Sequence, residues 1–194
     1  ILKRAEAALK EAKSYRAKGT LNQNGVRTAI DLKVSGRDFT TSLSYGGKAK
    51  VELLATGGKG YLRPNKEFWV MATNAEQGAL LARAIGDRWV TGADRDQSFA
   101  DLFTLGTLDG LFQPEGELSI GGVKEVNGIR AIGLMDSGNI FRKLYVASTG
   151  EPYPLQVTTG AMDAEVTFSD FGATFPDLKA PPKSKVVDLG KLTG

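Results

Sequence analysis

Polar and apolar residues alternate along most of this chain. Val26, Thr28, Ile30, Leu32 and Val34 fall on one side of an extended segment, and Phe39, Thr41, Leu43 and Tyr45 on one side of the next. Val51 and Leu53 continue the series. Side chains of a strand alternate between faces, so the pattern predicts a sheet with one buried face and one wet face. Residues 74–112 show helical periodicity instead, and the alternation resumes from Glu117 towards Phe171. A one-sided sheet needs a cover. The insert over 74–112 and an N-terminal helix are the candidates for it.

The helix is predicted over residues 1–13, where Ile1, Leu2, Ala5, Ala8, Leu9 and Ala12 form one apolar stripe. Lys3, Arg4, Lys10 and Glu11 fall mostly on the other side. A stripe this rich in alanine suits packing on the protein's own sheet better than a membrane surface. Strands are predicted at 14–23, 26–34, 37–45, 48–55, 59–63 and 67–72. The turns between them carry Asn24-Gly25, Ser35-Gly36, Gly46-Gly47, Gly57-Gly58 and Pro64-Asn65. Within the insert, Asn74 with Gln77 and Ser98 with Asp101 resemble helix-start boxes, and Gly86 stands at a helix stop. Arg88-Trp89-Val90 reads as a short extended piece, and Thr107 to Phe112 as one more helical turn. After Asn127-Gly128, strands are predicted at 129–135, 140–147, 153–159 and 162–170. The tail holds Pro176, Pro181 and Pro182, then a short strand near Val186–Leu189. The expected organisation is a single domain over 1–194: helix 1–13, strands 14–72, insert 74–112, strands 117–171 and tail 172–194.

The residue inventory narrows the chemistry. The 194 residues include no Cys and no His. Disulfides, thiol nucleophiles, imidazole metal ligands and a Ser-His-Asp triad are therefore excluded. The net charge of +3 is spread among carboxylates, without a basic stripe interleaved with aromatics, so no nucleic-acid partner is expected. No stretch approaches the roughly 18–20 apolar residues of a membrane span.

Several short motifs reduce to structure. Asp170-Phe171-Gly172 has the letters of a kinase metal motif without its partner motifs, and reads as a strand-end turn. Gly57-Gly58-Lys59-Gly60 lies between strands rather than ahead of a helix, so a hairpin turn is expected. Asp94, Asp96 and Ser98 match the first positions of a calcium loop, but Phe99 and Leu105 stand where Gly and Glu are needed. Glu115 with Glu117, and Asp163 with Glu165, are i, i+2 pairs that most simply face solvent. No catalytic site, metal or cofactor is expected. The insert is unusual instead for its apolar density: Leu80, Leu81, Ile85, Phe99, Leu102, Phe103, Leu105, Leu108, Leu111 and Phe112 in short, glycine-punctuated helices. These residues either plug the sheet or line and gate an apolar cavity.

Several segments in order resemble actinobacterial cell-envelope lipoproteins of the LppX/LprG type. They begin with Ala7-Ala8-Leu9 through Ser14-Tyr15-Arg16-Ala17-Lys18-Gly19-Thr20. Gly60-Tyr61-Leu62-Arg63 with Phe68-Trp69, and Gly86-Asp87-Arg88-Trp89-Val90, follow. Leu144-Tyr145-Val146-Ala147 with Gly150-Glu151-Pro152-Tyr153-Pro154-Leu155 is similar to the penultimate hairpin of that family. Phe168-Ser169-Asp170-Phe171-Gly172, and Pro181-Pro182 with Val186-Val187-Asp188-Leu189, complete the likeness. It implies an α+β fold like that of the LolA and LolB carriers. In that fold a strongly curved antiparallel sheet of about eleven strands, a half-barrel, has helices across its concave face. It also implies a non-enzymatic, extracytoplasmic protein of the cell envelope that holds lipid or an acylated molecule. Such a protein would be a monomer on the membrane surface, tied there by an anchor whose Cys, like the signal peptide, is not in this chain. The alternative use of the same fold is an envelope sensor or interaction module with a protein partner and no lipid transport.

Overall fold

The computed structural model describes residues 1–23, 25–95, 97–104, 112–159 and 164–191. Among them are four α-helices and twelve strands, grouped into two compact units.

The first unit comprises Ile1–Arg27 and Leu108–Thr174. It opens with α1 (Leu2–Ala12), whose stripe buries Ala5 and Ala8. Lys13 ends the helix in the left-handed conformation, at φ 63°. The strands are β1 (Ser14–Gln23), β7 (Leu118–Val126), β8 (Ile129–Asp136), β9 (Arg142–Ala147), β10 (Pro154–Thr159) and β11 (Ala164–Ser169). Their order is β1-β11-β10-β9-β8-β7, with neighbours antiparallel. Asn127 and Gly128 both have positive φ, as a two-residue hairpin turn requires. Asp170-Phe171-Gly172 is the strand-end turn expected: Asp170 and Gly172 take positive φ, and the Phe171 ring stacks on Tyr153 at 4.0 Å.

The second unit comprises Thr28–Thr107 and Phe175–Gly194. Its strands are β2 (Val26–Ser35, entering from the first unit), β3 (Asp38–Tyr45), β4 (Ala49–Thr56), β5 (Lys59–Pro64), β6 (Trp89–Thr91) and β12 (Val186–Asp188). They lie in that order, antiparallel except that β12 runs parallel to β6. The register places Ile30, Leu32, Leu43, Val51, Leu53 and Leu62 on one face, all buried. Burial of such side chains, worth about 1.5–3 kcal/mol each, is the main stabilising contribution here.

One predicted element is of the wrong type. Residues 67–72 form not a strand but the helix α2 (Lys66–Ala72). Four consecutive apolar residues, Phe68 to Met71, carry no period that separates strand from helix. Asn65 decides the matter. Its side-chain oxygen accepts the Phe68 N–H at 2.9 Å, capping the helix, and Glu67 sits favourably in the first turn. The insert therefore begins at residue 66. It continues with α3 (Ala75–Ile85), capped by Asn74 through the Glu76 and Gln77 N–H groups, and α4 (Gln97–Thr104). α4 starts one residue before Ser98. The helical turn expected at Thr107 to Phe112 lies outside the described residues except for Phe112.

Candidate functional site

In the second unit, Phe68 and Trp69 of α2 are buried. Trp69 meets Phe99 of α4 edge-on, with ring centroids 5.8 Å apart. Phe103, one turn on, packs on Phe39 of β3 at 6.4 Å. It also closes over Gly60 of β5, where a Cβ would stand 2.9 Å from its ring. Leu102 is half-buried beside it.

On α3, Gly78 and Ile85 are buried and Leu81 is half-buried, all on one side of the helix. Leu80 is 61% exposed and takes no part in this packing. At 3.6 residues per turn, a residue two positions from Gly78 points to the opposite side.

The insert residues thus divide. Leu81, Ile85, Phe99, Leu102 and Phe103 belong to the packed side of the second unit, while Leu80 faces solvent. Phe112 belongs to the first unit, against Phe168 of β11 at 5.5 Å. Leu105, Leu108 and Leu111 lie outside the described residues.

Not every polar atom in the second unit is satisfied. Trp69 is 1% exposed, yet among the described residues its Nε1–H finds no acceptor and the buried Thr28 and Thr41 hydroxyls find no partner. A buried unpaired group of this kind costs about 1–3 kcal/mol. Nearby, Tyr45 packs on Phe68, and burial pushes its phenol pKa up.

The first unit has a face of the same kind with a different edge. Ala17, Leu134, Val146, Val157, Val166 and Phe168 are buried there. Phe168 lies between Tyr15 and Phe112. Among the described residues, cover fails along β7. Ile120 pairs with Leu134, and Val123, past the Gly121-Gly122 bulge, pairs with Ile132, so both project on the Leu134 side. Ile120 is 71% exposed, Val123 53% and Leu118 38%. A recess of about 20 Å³ opens beside them between Leu2, Phe112, Leu134 and Leu144.

Its polar rim is Asp136 and Arg142. The Asp136 carboxylate accepts the Glu115 N–H at 2.7 Å and the Gly138 N–H at 3.0 Å. Those bonds, led by the one from Glu115 and helped by the Arg142 charge, hold its pKa below the usual carboxylate range.

The β7 strip did not stand out in the sequence. Its signal was the alternation of Leu118 and Ile120, with a glycine pair shifting phase before Val123.

The carboxylate pairs are not gathered into a reactive cleft. Glu115 and Glu117 are exposed, and Glu115 accepts a bond from Asn139 at 3.2 Å. Glu165 is exposed, and Asp163 lies outside the described residues. Among the described residues no group of three or more acidic side chains is arranged to hold a metal ion. Asp94 occupies a single 3₁₀ turn, while Asp96 is not among the described residues.

No family model matches the sequence, and neither does any curated protein. Solved structures do match. LprF from Mycobacterium bovis is similar at a TM-score of 0.56 and 12% identity, over 94% of this chain and 94% of that one. The Mycobacterium tuberculosis lipoprotein LppX is similar at 0.55 and 13% identity, over 90% of this chain and 94% of that one. At such identities the likeness establishes the fold: the chain has the LppX/LprF-type fold that the sequence resemblance implied.

Proposed function

We propose that this protein is a non-enzymatic lipid-binding or lipid-carrier protein of the cell envelope. The observation that carries the reading is the uncovered apolar strip of β7, where Leu118, Ile120 and Val123 continue a buried sheet face into solvent. Exposed apolar surface of this kind marks a binding site more often than an accident of folding. The fold likeness to LppX, itself a lipoprotein, supports the reading. The half-buried Phe99, Leu102 and Phe103 of α4 are a second apolar surface for a ligand, in the other unit.

The energetics suffice without catalysis. Each acyl CH₂ moved out of water contributes about 0.8 kcal/mol, so a chain of about fourteen carbons supplies roughly 10 kcal/mol before association costs. An extracytoplasmic, membrane-anchored location follows from the same reading.

Lipid extraction and native mass spectrometry of the purified protein test it. Co-purifying lipid, or stoichiometric uptake of palmitate, is the expected result. A protein that takes up no amphiphile rules the reading out.

A second reading rests on the position of β7. It ends the ladder of the first unit with large apolar side chains exposed, and such an edge is also a template for a partner's strand. Pull-down of an envelope protein, with no lipid transfer between vesicles, favours this interaction module over the carrier.

A further inference from the structure

The wet face of the second unit is not simply solvated. After Phe175 the tail crosses it as a strap. The Lys33 ammonium holds the strap by an ion pair to Asp177 at 2.6 Å and lies over the Phe175 ring at 5.9 Å. Beyond Pro181 and Pro182 the tail is fixed again by β12, where Val186 pairs with Trp89. Pro181 and Pro182 restrict the backbone of the intervening segment and line the space beneath it. A cleft of about 480 Å³ remains between strap and strands, within the usual size range of small-molecule sites.

The walls of this cleft select a ligand class. Asp31, Glu52 and Asp177 are balanced by Lys33, Arg63 and Lys179. Arg63 is also committed, through Nε to Glu52 at 3.0 Å and across the Trp89 ring at 4.7 Å. A balanced site has no field to concentrate a phosphate or a metal ion. Leu54, Ala180, Pro181 and Pro182 add apolar surface to the same walls, but an acyl chain lying there would also have to bury the charged groups. What it offers is a half-buried indole, fixed carboxylates and guanidinium, and the hydroxyls of Thr40 and Ser42. The complement is a neutral molecule whose groups both donate and accept, with an apolar C–H face.

We propose that the cleft under the strap binds a neutral pyranoside, free or as the head of a glycolipid. Carboxylates accept from the sugar hydroxyls, the Ser42 hydroxyl donates to them, and the part of Trp89 that Arg63 leaves open lies against the ring carbons. This site is distinct from the apolar surface of the insert, because it lies on the opposite face of β2 to β5, and none of its lining residues belongs to β7.

The two tryptophans supply the readout. Trp89 lines the cleft and Trp69 is buried on the other face, so the Trp69 indole N–H resonance is an internal reference. Maltose, trehalose and galactobiose are titrated at millimolar concentrations. Phosphatidylcholine vesicles with and without digalactosyldiacylglycerol form the second arm. The expected result is a saturable shift of the Trp89 resonance with Trp69 unmoved. Response to a free disaccharide assigns the sugar itself, and response only to glycolipid vesicles assigns a glycolipid head. Ser42→Trp, which fills the cleft, abolishes the shift. Glu52→Gln weakens it about tenfold, the loss of one hydrogen bond to a charged group. No shift in either arm overturns the proposal, as does an equal shift with sugar-free vesicles or with inorganic phosphate.

Discussion

Gly78 of α3 lies so close to Val70 of α2 that a Cβ on it would stand 2.5 Å from the Val70 nitrogen. The obstacle is backbone, which cannot swing aside as a side chain would. Gly78→Ala therefore pries α2 and α3 apart. Helix propensity favours alanine by about 1 kcal/mol, but overpacking of this kind costs about 1–3 kcal/mol and prevails. Chemical denaturation should show the variant destabilised, and an unchanged or raised midpoint would refute the close approach.

Asn65 is a single side chain with three tasks. Its oxygen accepts both the Phe68 and the Lys50 N–H at 2.9 Å, and its amide donates to the Lys48 carbonyl at 2.8 Å. It thus caps α2 and ties the end of β5 to the start of β4. Asn65→Ala should cost about 2 kcal/mol, at the upper end for a helix cap, whereas Asn74→Ala, which removes only the α3 cap, should cost about 1 kcal/mol. Equal losses in urea denaturation would argue against the bridging role.

Ile120 and Val123 separate binding from folding. Both are mostly exposed, so Ile120→Ser with Val123→Ser should change stability by no more than about 0.5 kcal/mol each. Contact with an acyl chain would make them worth about 1.5 kcal/mol or more together, so palmitate uptake should fall roughly tenfold. Full uptake by the double variant would remove β7 from the proposed site.

Asp136 gives the pH dependence. Its folded-state pKa is lowered by the Glu115 and Gly138 N–H groups, so the folded state binds its proton less readily than the unfolded chain does. The stabilising contribution is complete above the ordinary carboxylate value of about 3.9, and is lost as pH falls from there through the folded-state value. Asp136→Asn should be less stable than wild type at neutral pH, with the gap narrowing below about pH 4. Urea midpoints measured across that range check this. A gap independent of pH would show that the carboxylate's charge is not what matters.

The strand series was legible because burial on one face imposes a period of two, and nearly every predicted strand appears within a residue or two of its expected limits. β9 is the looser case: it begins at Arg142, because Asn139 instead holds a turn whose carbonyl accepts the Arg142 N–H at 2.8 Å. Residues 67–72 differ from the expected strand because Phe68-Trp69-Val70-Met71 is apolar without a period, and only the fold shows Phe68 and Trp69 buried and Met71 exposed. The deciding bond runs from Phe68 back to Asn65, a cap signal that competed with a Pro-Asn turn signal.

The insert's apolar residues were identifiable as a group, but their partners were not. Phe103 finds Phe39 and Gly60, and Phe112 finds Phe168, across long stretches of sequence. The strip on β7 and the cleft under the strap were out of reach for the same reason. Alternation tells which residues share a face. It does not tell how far a covering element extends along that face, or which distant segment crosses the other one. By itself the sequence determined the strands, most of their turns, the N-terminal helix and the absence of thiol and imidazole chemistry, since these follow from local periodicity and composition. Only the tertiary structure decided that β7 is left bare while the tail roofs the polar face of β2 to β5, since exposure there depends on contacts between residues more than a hundred positions apart, such as Lys33 with Asp177.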